Sequence, residues 1–73
     1  MAKETVEVPI SGKIIRVESK VGDVVKEGDT LCVIESMKME NLIMAPVAGT
    51  IIEIGVTAGK TVSEGGLVAI IEY

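Results

Sequence analysis

Apolar residues alternate with polar ones or form short runs along most of the chain, and glycines interrupt them repeatedly. The runs L-C-V-I at 31–34 and L-V-A-I-I at 67–71 are rich in β-branched side chains and lie close to glycine-containing segments. Neither run belongs to a pattern with the 3.6-residue period of an amphipathic helix. The sequence therefore predicts an all-β chain of short strands separated by glycine turns.

An internal repeat organises these strands. A shift of 37 positions aligns residues 9–35 with residues 46–72. Ten aligned pairs are identical: Pro9/Pro46, Gly12/Gly49, Ile14/Ile51, Ile15/Ile52, Gly22/Gly59, Val25/Val62, Glu27/Glu64, Gly28/Gly65, Ile34/Ile71 and Glu35/Glu72. Half a domain of this size cannot bury its own apolar face, so we expect the copies to pack about a pseudo-twofold axis. The predicted fold is a flattened antiparallel β-barrel or sandwich, formed by one domain spanning residues 1–73.

The segment between the two repeats, residues 36–45, reads S-M-K-M-E-N-L-I-M-A. A β-hairpin is the simplest connection, with Met37 and Lys38 near its tip and M-E-N-L-I-M as the returning strand. Three of the four methionines lie in this segment, although turns usually contain Gly, Asn, Asp or Pro. Exposed methionines form an adaptable contact surface. Lys38 is thus either a solvated turn lysine or part of a site that a partner protein recognises.

The composition argues against several functions. The net charge is −4, the basic residues are scattered, and Tyr73 is the only aromatic residue, so a nucleic-acid surface is not expected. The absence of histidine and the single cysteine exclude a zinc site or a disulfide within the chain. Cys32 lies inside an apolar run and is predicted to be a buried small hydrophobe in a reducing compartment. Without a Cys/His pair or a cluster of titratable groups, a catalytic role is not expected either.

The sequence also bears on location. The start M-A-K-E-T-V has no apolar signal core, and the apolar runs are much shorter than a membrane span requires. We therefore predict a cytoplasmic domain that does not insert into a membrane.

The segment E-S-M-K-M-E at 35–40 resembles the attachment motif of biotin carboxyl carrier proteins, the biotinyl domains of biotin-dependent carboxylases and decarboxylases. The resemblance extends over most of the chain. V-P-I-S-G-K-I-I is similar to the opening strand of the family, V-G-D-V-V-K-E-G-D to its paired glycine turns, and I-M-A-P-V-A-G-T-I-I-E-I to the strand after the attachment site. Two departures are small: Ser36 stands where alanine is commonest, and no protruding loop is inserted between the strands of the first half.

The resemblance implies an eight-stranded barrel-sandwich hybrid and a covalent biotin on Lys38, with Met37, Met39, Glu35 and Ser36 around it. Lysine amines are almost fully protonated near neutral pH, so a biotin protein ligase would have to supply an activated acyl donor, biotinyl-adenylate. Glu35 and Glu40 are either recognition charges for a basic ligase surface or ordinary solvated residues. The biotin would then carry CO2 between a biotin carboxylase and a carboxyltransferase or decarboxylase. No catalytic residue and no metal is implied.

Two alternatives remain open at this point. A lipoyl domain would share the fold and the hairpin lysine, but such domains typically present D-K-A where this chain has M-K-M. An unmodified barrel-sandwich adaptor, used only for assembly, would lack any attached group.

Overall fold

The computed structural model describes residues 1–73 and contains eight strands. They are β1 (Lys3–Glu7), β2 (Gly12–Val17), β3 (Val24–Val25), β4 (Thr30–Ser36), β5 (Met39–Met44), β6 (Gly49–Ile54), β7 (Thr61–Val62) and β8 (Leu67–Glu72). No helix capable of spanning a lipid bilayer is present. The predicted all-β fold of eight short strands is confirmed.

The strands form two antiparallel sheets of four. The strand order is β1-β8-β6-β3 in the first sheet and β5-β4-β2-β7 in the second. The two halves of the chain have equivalent strands: β1 corresponds to β5, β2 to β6, β3 to β7 and β4 to β8. Replacing each strand by its equivalent in the other half converts one strand order into the other. This correspondence confirms the prediction of two pseudo-twofold-related halves.

The two halves exchange their shortest strands. β3 of the first half pairs with β6 of the second, and β7 of the second half pairs with β2 of the first. In one exchange the Gly22 N–H donates to the Ile51 carbonyl at 2.8 Å, and the Ile51 N–H donates to the Asp23 carbonyl at 2.9 Å. The other exchange repeats this pattern between Gly59, Ile14 and Lys60 at 2.7 and 2.8 Å. Each sheet is therefore complete only when both halves are folded.

The structure extends the internal correspondence beyond the aligned repeats. β5 pairs with β4 in the same register in which β1 pairs with β8: Val6 opposes Ala69, and Ile43 opposes Cys32. Residues 39–45 thus occupy positions equivalent to residues 2–8. Only the two-residue turn at 37–38 has no equivalent connection within the chain.

The core lies between the two sheets and draws on both halves. Its buried members are Val6, Val8, Ile14, Val25, Leu31, Cys32, Ile34, Ile43, Ala45, Ile51, Val56, Val68, Ala69 and Ile71. The predicted burial of Cys32 is confirmed, because its side chain is 0% exposed. Burial disfavours the charged thiolate and raises the pKa of the Cys32 thiol to about 11.

Four glycine turns join the strands within the halves. Each turn has a glycine with φ between 88° and 98°, at positions Gly22, Gly28, Gly59 and Gly65. At Gly28 the turn is also closed by Asp29, whose carboxylate accepts the Lys26 N–H at 2.9 Å. No atom lies within 4 Å of the place where a Cβ at Gly28 would stand. The requirement for glycine there comes from the backbone conformation and not from lack of space.

We predict that Gly28→Val lowers the free energy of unfolding by about 1–2 kcal/mol, because a β-branched residue is strained at this positive φ. Thermal unfolding followed by circular dichroism measures the change. Gly28→Asn is the matched control and should lose less, since asparagine tolerates positive φ better. A valine variant that melts at the native temperature would contradict the assignment of this turn.

Candidate functional site

The candidate site is the hairpin that joins β4 to β5. Ser36 pairs with Met39 across the hairpin, so Met37 and Lys38 are the only residues of its loop. Their φ angles are 54° and 67°. Positive φ at both central residues is characteristic of a type I′ turn, whose twist matches that of the flanking strands. The structure thus places Lys38 at the tip of a tight, well-defined hairpin.

The conformation of this turn is unfavourable for its sequence. Type I′ turns favour Asn-Gly, yet here a methionine and a lysine occupy the two positions. Met37 and Lys38 are also the only non-glycine residues of the chain with positive φ. Such locally strained residues concentrate at functional sites, where the surrounding structure holds them in place. The strain therefore points to a function of the tip that Asn-Gly would not serve.

The base of the hairpin is held firmly by the core. Residues Leu31–Ile34 of β4 are all buried, so the strand leading to the tip is covered on both faces. β2 also approaches it closely at Gly12, where an added Cβ would overlap the Glu35 carbonyl oxygen and lie 2.8 Å from Ile34 Cγ2. Only glycine at position 12 therefore allows β2 to pack this closely against the end of β4. The end of β4 that carries the tip is thus held by its burial in the core and by its packing against β2.

The side chains at the tip face solvent. Met37 is 88% exposed and Met39 is 66% exposed, and Lys38 is exposed between them. The Asn41 side chain donates to the Met39 carbonyl at 3.3 Å, whereas the Lys38 amine has no hydrogen bond or ion pair. The two surface depressions of the molecule lie elsewhere, around Glu18, Ser19 and Asp23. A free, solvent-facing primary amine in this setting is accessible to acylation by a partner protein.

Two carboxylates flank the tip. Glu35 and Glu40 stand opposite each other on β4 and β5, and both are exposed. Directly opposed like charges are slightly destabilising in a sheet. Lys13 stands opposite Glu35 on β2 but forms no ion pair with it, so neither carboxylate has a salt-bridge partner. A partner with a basic surface would therefore be attracted to this hairpin. Ser36, by contrast, is half-buried and pairs with Met39 at the end of the ladder.

On the returning strand, sequence reasoning had singled out Met44 with the other methionines of the segment, but it missed Leu42. Leu42 and Met44 of β5 are 53% and 51% exposed, whereas Ile43 between them is buried. The signal was the run N-L-I-M, in which apolar residues occupy both faces of a strand whose inner face alone meets the core.

The model of the family described as "Biotin-requiring enzyme" matches residues 4–71. The chain belongs to this biotin-requiring family. The prediction of a biotin carrier domain, the non-catalytic part of biotin-requiring enzymes, is thereby confirmed.

Individual relatives of the family agree with this assignment. The chain is 50% identical over 42 residues to methylmalonyl-CoA decarboxylase subunit gamma from Veillonella parvula, a match covering 58% of this chain and 33% of that subunit. The urea carboxylase structure from Kluyveromyces lactis gives a TM-score of 0.89 at 32% identity, covering 99% of this chain and 6% of that one. A single-chain, multi-domain long-chain acyl-CoA carboxylase gives 0.87 at 26% identity, covering 93% and 7%. The chain thus spans a third or less of these proteins.

We expect Met37→Asn to raise the free energy of unfolding by about 1 kcal/mol, because asparagine adopts positive φ at lower cost than methionine. Thermal unfolding measures the gain. Met39→Asn is the control, since Met39 lies in β5 outside the turn and gains nothing from this effect. If Met37→Asn melts at or below the native temperature, the turn is not the source of strain that its φ angles indicate.

Proposed function

We propose that the domain carries biotin covalently on Lys38 and moves CO2 between a biotin carboxylase and a carboxyltransferase or decarboxylase. The observation that carries the proposal is the exposed, unpartnered Lys38 amine at the tip of a strained two-residue turn between two exposed methionines. Membership of the biotin-requiring family supports biotin as the attached group. The cytoplasm stays the predicted location.

The attachment chemistry requires a biotin protein ligase. Lys38 Nζ attacks the activated carboxyl carbon of biotinyl-adenylate held by the ligase; an amide bond forms as the bond to AMP breaks, and a proton leaves the nitrogen for the ligase or for water. Because no group of this chain hydrogen-bonds or ion-pairs with the Lys38 amine, the chain itself supplies no base for this proton. The hairpin contributes the position and direction of the amine. When attached, biotin supplies a ureido nitrogen that accepts and releases CO2.

The neighbouring residues take separate roles in this proposal. Met37 and Met39 offer apolar contact on either side of the amine, which suits a ligase that must distinguish this lysine from other exposed lysines. Glu35 and Glu40 present negative charge toward a basic partner surface. Ser36 closes the ladder against Met39 and sets where the turn begins.

The decisive experiment is the intact mass of the protein after incubation with biotin protein ligase, ATP and biotin, followed by peptide mapping. We expect one biotinyl group per chain on Lys38, and none on Lys38→Arg, which keeps the charge and the fold. Lys60→Arg is the matched control and should be labelled like the native chain. Biotin on Lys38→Arg would refute the site, and addition by lipoate ligase alone would identify a lipoyl carrier. No addition from either ligase would favour an adaptor.

Replacing M-K-M by the D-K-A found in lipoyl domains tests the methionines. We expect Met37→Asp/Met39→Ala to lower kcat/KM for biotinylation by about tenfold or more, because the apolar contacts on both sides of the amine are lost. Thermal unfolding shows whether the fold is kept. A double variant labelled at the native rate would remove the methionines from ligase recognition.

A further inference from the structure

The outer face of β5 carries an apolar strip next to the attachment hairpin. Leu42 and Met44 point outward, since Asn41 and Ile43 occupy the alternate, inward positions. Val33 of β4 stands opposite Leu42 and is 0% exposed, although it lies outside the main core cluster. Val33 is therefore buried on the outer face of the sheet, beneath its neighbours. Leu42 and Met44 are here called the β5 strip. Val33 lies next to Leu42 on the neighbouring strand.

The pseudo-twofold symmetry shows that the fold does not require this strip. In β1, which occupies the equivalent place in the other sheet, Thr5 corresponds to Leu42 and Glu7 to Met44. Both are exposed polar residues. The same structural position therefore accepts polar side chains. Of these two equivalent strands, only β5, which returns from Lys38, has apolar residues at the two outward positions. This difference indicates that Leu42 and Met44 contact a partner that binds near the hairpin.

We propose that the β5 strip is a docking surface for the biotin protein ligase, with an apolar contact at its centre and a basic rim; this inference rests on the proposed attachment of biotin to Lys38. An unmodified lysine is short, so the ligase must bring its catalytic centre up to the hairpin tip. Leu42 lies four residues beyond Lys38, which corresponds to about 13 Å along a strand. A protein surface that encloses the tip therefore also covers the strip.

Charge supports the same occupant. Glu40 lies on the outer face between the tip and Leu42, and Glu35 lies beside it on β4. Lys13 of β2 neighbours Glu35 on the far side, without forming an ion pair, so the β5 side of this row is negative. A ligase with cationic residues around an apolar patch would match both features. Partners that act later receive biotin on an extended arm and need fewer contacts with the strand.

The test transfers the residues of β1 to β5. We expect Leu42→Thr/Met44→Glu to lower kcat/KM for biotinylation of the full chain by about tenfold or more, while one biotin per chain is still reached on Lys38 at long times. The carboxylate added at position 44 strengthens the attraction to a basic partner. A fall in kcat/KM would therefore come from the lost apolar contact and not from the charge. The reciprocal variant, Thr5→Leu/Glu7→Met, is the matched control and should be labelled at the native rate. Leu42→Thr alone, with thermal unfolding of every variant, keeps the test valid if the double variant is unstable.

The outcomes separate this inference from the proposed function. A native chain that no biotin ligase labels would refute the attachment itself. If Leu42→Thr/Met44→Glu and Thr5→Leu/Glu7→Met are both biotinylated at the native rate, the docking surface is overturned but the attachment of biotin to Lys38 is not. If labelling is native and only carboxylation of the attached biotin by a biotin carboxylase falls, the strip serves that later partner, and its assignment to the ligase is wrong.

Discussion

The exchange of β3 and β7 between the two halves is the constraint on which the rest of the structure depends. Ile14 and Ile51 are fully buried at the centre of this exchange, and the backbone of each bonds to a glycine turn of the opposite half. Neither half can satisfy these groups alone, and unpaired buried backbone groups are costly. Both sheets, the core between them and the base of the β4–β5 hairpin therefore form together. A small domain without disulfide or metal obtains a rigid scaffold in this way.

The sequence predicted this scaffold because the repeated residues are those that the exchange requires. The turn glycines and the central isoleucines recur at a fixed spacing, and each has a backbone or packing reason to be retained. The correspondence of β1 with β5 was invisible, because only inward residues such as Val6 and Ile43 remain alike. Outward positions of edge strands are not constrained by packing, so Thr5 and Leu42 carry no common signal. Structure, and not similarity of residues, relates these strands.

The candidate site was predictable in its residues but not in its geometry. The motif around Lys38 identified the family, and the alternation of the returning strand predicted a hairpin. Nothing in Met-Lys predicts a type I′ turn, since that turn is normally signalled by Asn-Gly. Leu42 of the β5 strip was missed for a related reason: an exposed leucine resembles a core residue when only the sequence is considered. Both failures fall at positions for which we propose partner contact, and not folding, as the reason for the residue.

The firmly held hairpin also has a consequence for motion. The molecule measures 37 × 18 × 16 Å, and the backbone below Lys38 is fixed by β4 and by the close approach of Gly12. In polymer terms, the hairpin is the fixed end of a short flexible chain. Nearly all of the conformational freedom of that chain lies in the torsions of the lysine side chain and of any group attached to it. The volume that such an arm searches is therefore small, and its local concentration at a neighbouring site is correspondingly high. Rotation of the whole body must supply any travel beyond the length of the arm.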